Sequence, residues 1–161
     1  MFDPAEVVRA LNKHGVEYLI IGGFAATLYG CPEQTFDIDI LFADSAENRK
    51  RLVGALQEVK AEWDRPLTAK VLTRQPLFAL NSAAGDIDIF RVVPGMNSFE
   101  EFKARLRIFE LKGQHTPVLS LLDLIATKEA AADPNPRKQS ALAYLKNLAN
   151  ETSSQGNAAA T

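Results

Sequence analysis

Residues 35–42 read TFDIDILF, and they place Asp37 and Asp39 one residue apart in a run that is otherwise apolar. A strand turns successive side chains to opposite faces, so the two aspartates share one face while Ile38 and Ile40 share the other. Charges are depleted in strands, and a buried charge without a partner is costly. The pattern returns at residues 86–90, DIDIF, with Asp86 and Asp88 on one face and Ile87 and Ile89 on the other. If the two strands are neighbours, three or four carboxylates meet on one patch. Like charges ~4 Å apart repel by about 1 kcal/mol even in water. A raised pKa, basic partners or divalent cations would relieve that repulsion. Mg²⁺ prefers oxygen ligands and is held by one or two carboxylates plus substrate phosphates. Two carboxylates on one strand and a third from its neighbour would make a two-ion site for displacement at phosphorus.

Upstream, EYLIIGG (17–23) reads as a short buried strand ending in two glycines, and FAATLYG (24–30) as a short helix. Gly22 and Gly23 open that helix. The unpaired N–H groups of a helix start suit phosphate, although a glycine pair also serves any tight strand-to-helix turn, and no GxxxxGK[ST] is present. Asp3-Pro4-Ala5-Glu6 is a helix start, and Asp44-Ser45 caps a helix running to about Val59. AKVLT (69–73) reads as a short strand. PLFAL (76–80) and DIDIFRVV (86–93) form a hairpin, and RIFEL (107–111) with HTPVLS (115–120) forms another. Helices are expected around 99–105, from Ser120 to about Ala132 and over 137–149, followed by a disordered tail over 150–161. This order predicts a single α/β (α+β) domain over 1–149, a mixed sheet with helices packed on it.

Composition narrows the partners. The chain has 161 residues, 47% hydrophobic, with a net charge of −2. That is enough for one core, and it offers no basic field for extended nucleic acid. No apolar stretch is long enough for a membrane span, and no signal-peptide region precedes the first helix. With Cys31 the only cysteine, a disulfide framework is excluded and the cytoplasm is expected. Cys31, His14 and His115 have no zinc-site spacing.

The order of these parts (apolar strand, Gly-Gly, short helix, DxD strand, later Asp strand) resembles the small prokaryotic nucleotidyltransferases of the DNA polymerase β-like superfamily, including their minimal and antitoxin-type group. The segments that carry the resemblance are IGGFAATLYG (21–30), TFDIDILF (35–42), DIDIFRVVPGMNSFEEF (86–102) and DLIATKEAA (123–131). The resemblance implies the nucleotidyltransferase fold and transfer of a nucleoside monophosphate from a nucleoside triphosphate such as ATP. It implies that Asp37, Asp39 and Asp88 are catalytic and hold two Mg²⁺ ions, with Asp86 as an accessory. It also implies that Gly22, Gly23, Thr35 and Lys128 contact the nucleotide. The acceptor is not named; relatives in toxin–antitoxin systems modify or cover a partner protein. Two departures stand out. Relatives often carry PRxT where this chain has Pro32-Glu33-Gln34-Thr35, and acids where it has Gln139 and Ser140. They support an alternative reading as a nucleotide-binding, antitoxin-like interaction module with weak or lost catalysis.

Overall fold

The computed structural model describes residues 1–160, and side chains through residue 154. Its six helices are α1 (Pro4–Lys13), α2 (Gly22–Leu28), α3 (Ala46–Glu58), α4 (Phe99–Ala104), α5 (Leu121–Ala131) and α6 (Pro136–Ala160). Its strands are β1 (Tyr18–Ile21), β2 (Asp37–Phe42), β3 (Leu77–Leu80), β4 (Asp86–Phe90), β5 (Arg107–Leu111) and β6 (Gln114–Val118). They form one mixed sheet in the order β3-β4-β2-β1-β6-β5. β2 lies parallel to β4 and antiparallel to β1, and the hairpins β3–β4 and β5–β6 form its two flanks. Both hairpins and the mixed sheet with its packed helices match the sequence reading.

The alternating pattern that isolates the aspartates also builds the core. Ile38, Ile40, Ile87 and Ile89 are fully buried, and one cluster of buried side chains runs from Val7 to Leu145. α2 packs on β1 and β2, and α5 and α6 pack on each other and on α2. Side-chain caps start four of the helices: Asp3, Ser45, Ser98 and Ser120 each accept from a backbone N–H three residues on.

Asn48, inside α3, is a buried polar residue that ties this helix to the sheet. Its Oδ1 accepts from the Glu17 N–H at 2.7 Å, and its Nδ2 donates to the carbonyls of Glu17 and Ala43 at 2.9 and 2.8 Å. Asn48→Leu keeps the branched outline but is bulkier, and it strands the Glu17 N–H, while the Ala43 carbonyl keeps the Ser45 N–H. The expected loss is about 2–4 kcal/mol, read as a lower urea midpoint with an unchanged slope.

Three boundaries differ from the sequence reading. AKVLT is not a strand: Val71–Thr73 is a 3-10 turn with Leu72 buried beneath it. Local bonds hold it there, from the Val71 N–H to Thr68 Oγ1 and from Thr73 Oγ1 to the Lys70 carbonyl, and such bonds compete with strand pairing. The first strand ends at Ile21, which makes Gly22 and Gly23 the first turn of α2. The last helix, expected to stop near 149 and give way to a disordered tail, continues to Ala160. No proline interrupts it, and Glu151–Ser154 are exposed, as a segment without an apolar pattern requires. Thr161 lies outside the described residues. Among the described residues no helix is long and apolar enough to cross a membrane.

Candidate active site

The register between β2 and β4 brings the aspartates together. Asp37 lies opposite Asp86 and Asp39 opposite Asp88, in parallel, so both motifs face the same way. Carboxylate oxygens of Asp37, Asp39 and Asp88 lie within 4.8 Å of one another. Asp86, one step toward the end of the sheet, is exposed and outside that cluster, although its charge still reaches Asp88. No salt bridge among the described residues ends on any of the three.

Burial and mutual repulsion leave a clear electrostatic signature. Asp39 is 8% exposed, and its pKa is pushed up to about 7, first by desolvation and then by the charges of Asp37 and Asp88. Lys138 and the Gly23 N–H pull it back in part. Asp88 is also raised, by burial and then by Asp37. The cluster is therefore an oxygen-donor set carrying more negative charge than its surroundings neutralise, which suits a hard divalent cation.

The β1–α2 corner explains the glycine pair. Gly22 has φ of +65°, a left-handed conformation, and a Cβ there would overlap the Asp39 carboxylate, standing 2.9 Å from its Cγ. Gly22 is thus required both by its backbone and by the close approach of Asp39. Gly23 N–H donates to Asp39 Oδ2 at 3.2 Å, which anchors the carboxylate. A Cβ on Gly23 would make only ordinary contact with Thr35 Oγ1, at 3.8 Å.

The three carboxylates open onto a cleft of about 460 Å³, which is also lined by Gly22, Gly23, Thr35, Glu33, Lys128, Arg137 and Lys138. All the residues expected to hold metal or nucleotide therefore line one cavity, Asp86 excepted. Thr35 reaches it, but its hydroxyl donates to Asp37 Oδ1 at 2.8 Å. Lys128, on α5, is half-buried; desolvation and then Lys138 lower its pKa, against the opposing pull of Asp39, Cys31 and Glu33. The part played by Lys138 is not visible in the sequence, where nothing in the pattern places the start of α6 over carboxylates a hundred positions earlier. Neither lysine ends a salt bridge among the described residues. Beyond Gly22 and Phe90 lies a second hollow of about 430 Å³ walled by Val93, Pro94, Ala131 and Leu142, with Lys128 and Lys138 on its border with the first.

Solved structures with this arrangement of elements exist. The lincosamide antibiotic adenylyltransferase LnuA, lincomycin-bound, superposes with a TM-score of 0.65 at 15% identity, covering 90% of this chain and 97% of that one. The chain has the nucleotidyltransferase fold. A second protein with this fold, the antibiotic-resistance factor ANT(2'')-Ia in complex with adenylyl-2''-tobramycin, gives a TM-score of 0.60 at 16% identity, covering 97% of this chain and 93% of that one. A putative nucleotidyltransferase from Thermotoga maritima gives 0.56 at 17% identity, covering 94% and 96%. No protein-family model matches the chain, and no curated protein matches it in sequence. Across the nucleotidyltransferase fold the likeness is one of architecture, and the chemistry has to be read from the residues of the cleft.

Proposed function

We propose that this protein transfers a nucleoside monophosphate from a nucleoside triphosphate to a hydroxyl group on a small organic acceptor, in the cytoplasm. The observation that carries the reading is the cluster of Asp37, Asp39 and Asp88, drawn from two adjacent strands and set beside the Gly22–Gly23 corner in the nucleotidyltransferase fold. Asp37, Asp39 and Asp88 would hold Mg²⁺, two ions with the triphosphate, which when bound neutralises the carboxylates and the charge developing on the leaving group.

The residues of the chain divide the remaining work. Lys128, Arg137 and Lys138 supply positive charge along one wall of the cleft, where a triphosphate needs it. Gly22 leaves room for a close approach. Asp88, less buried than Asp39 and with its pKa raised by burial and by Asp37, accepts the proton of the acceptor hydroxyl as its oxygen attacks the α-phosphorus. The new bond joins that oxygen to the α-phosphorus, the bond from the α-phosphorus to the bridging oxygen breaks, and pyrophosphate leaves. A small hydroxylated acceptor is favoured by the two structural neighbours whose names carry lincomycin and adenylyl-tobramycin, and by two adjoining hollows of 460 and 430 Å³, each within the range of small-ligand sites.

The direct test is calorimetric titration with ATP, GTP, CTP and UTP, with and without Mg²⁺, on the wild type and on Asp37→Asn. The expected result is metal-dependent binding of at least one nucleotide, lost in the variant. Pyrophosphate release with a panel of hydroxylated small molecules then identifies the acceptor. Absence of nucleotide binding by the wild type would overturn the reading. One observation favours the antitoxin-like alternative: Glu33 places an acid on the cleft wall. A co-purifying protein retained by Asp37→Asn would make that partner, rather than a small molecule, the object of the cleft.

A further inference from the structure

Thr35 lines the cleft, yet its one proton is directed away from any ligand there. We infer that Thr35 is a positioning residue that sets the Asp37 carboxylate for a divalent cation, not a donor to phosphate. The inference rests on the nucleotidyl-transfer reading of the same cleft. Thr35 Oγ1 lies 2.8 Å from Asp37 Oδ1 and 3.2 Å from the Asp37 carbonyl oxygen. Both are acceptors and a hydroxyl has a single hydrogen, so the proton goes to the shorter contact, with the side chain. What remains for the cleft is a pair of lone pairs, which a phosphate oxygen avoids.

The terminal torsion of an aspartate is broad, so a carboxylate at the first residue of a strand swings unless something holds it. Asp39 is held by the Gly23 N–H, at 3.2 Å. Asp37, the first residue of β2, has its own holder in Thr35. Thr27 Oγ1, on α2, lies 3.1 Å from the Gly23 carbonyl and 3.4 Å from the Glu33 carbonyl, and its one proton goes to the nearer, within the helix. The two metal-facing carboxylates of β2 are therefore each oriented by one donor, the Gly23 N–H in the first turn of α2 and the Thr35 hydroxyl just before β2. A bond to a ligand carboxylate of this kind fixes its direction and is commonly worth ~10-fold or more in metal affinity.

The experiment titrates Mn²⁺ into the full chain and follows free Mn²⁺ by electron paramagnetic resonance, for the wild type, Thr35→Val and Thr35→Ser. Thr35→Val is expected to weaken Mn²⁺ about tenfold, and Thr35→Ser, which keeps the hydroxyl, to restore it to within about threefold. Circular dichroism and melting should stay as in the wild type. In turnover, the metal concentration at half-saturation should rise for Thr35→Val while KM for the triphosphate at saturating metal stays put. Wild-type Mn²⁺ affinity in Thr35→Val would overturn the inference, as would a raised triphosphate KM at saturating metal, which would make Thr35 a phosphate donor. No Mn²⁺ binding by the wild type would overturn the functional reading itself, a result separate from either.

Discussion

Asp39→Asn is expected to abolish nucleotidyl transfer and, at the same time, to raise the melting temperature of the metal-free protein. The first effect follows from removing a charged oxygen donor from the centre of the cluster. The second follows from linkage. The Asp39 carboxyl titrates near 7 in the fold against an ordinary 3.8, so between those values the native state holds a proton that the unfolded chain has released. Stability from this group is complete below the unfolded value, falls as pH rises through the folded one, and is lowest above it. A tenfold difference in proton affinity between the folded and unfolded chain is about 1.4 kcal/mol, and the repulsion left between Asp37 and Asp88 offsets part of the relief. A gain of about 2 kcal/mol, or ~5 °C, is expected for the variant at about pH 8, shrinking toward zero at about pH 4. Asparagine can still accept from the Gly23 N–H, so the fold loses no anchor. Mg²⁺ should raise the melting temperature of the wild type and leave that of the variant unchanged. Melting curves at several pH values decide the matter: equal stability throughout would mean that Asp39 carries no such strain, and surviving transfer would remove it from the chemistry.

Gly22→Ala and Gly23→Ala should behave as opposites although they are neighbours. At Gly22 a side chain meets two obstacles, the left-handed backbone at φ of +65° and the Asp39 carboxylate. The backbone alone costs about 1–2 kcal/mol, and relief of the overlap must displace Asp39. A displacement of ~1 Å at a reacting centre is enough for a loss of about 100-fold, so transfer should fall at least that far and Mn²⁺ affinity should fall with it. Gly23 is helical and meets only Thr35 Oγ1 at van der Waals distance. Gly23→Ala should keep the fold, the metal affinity and the Asp39 anchor. Side-by-side metal titration and thermal melts test the pair, and equal effects at both positions would contradict the geometry.

Much of this site was legible in the sequence because period-two alternation is a local signal. Asp37 and Asp39 had to share a face once TFDIDILF was read as a strand, and so did Asp86 and Asp88. Local signals could not say which of the four would converge: the register sets Asp86 beside Asp37 and Asp88 beside Asp39, and only the Asp88 carboxylate joins those of β2 in the cluster. Lys138 was invisible as a site residue for a related reason, since its place over Asp39 is set by how α6 docks on α2 and α5. The bond that occupies the Thr35 hydroxyl depends on a side-chain torsion, which spacing does not encode. The misread AKVLT segment has β-branched residues but only one buried side chain, Leu72, and no neighbouring strand to pair with. Strand formers without a partner fall back on turns closed by their own threonines.

The in-register pairing of two DID motifs has a consequence for the fidelity of folding. A slip of β4 by one residue would turn Ile87 and Ile89 to the outside and drive aspartates into the core, so the hydrophobic interior rejects it. A slip by two residues is different: both isoleucines would stay inside, and Asp86 would arrive opposite Asp39 in the place of Asp88. The spare aspartate would fill the place of Asp88 in the cluster, but Asp88 itself would move to the place of Phe90 beside the fully buried Leu41, which costs the burial of a charge. The hairpin adds to that discrimination: Phe78 pairs with Ile89 and Leu80 with Ile87 across β3, and the tight 81–85 connection allows little slack. A loop of ordinary appearance thereby acts as a proofreader of the strand that completes the carboxylate cluster.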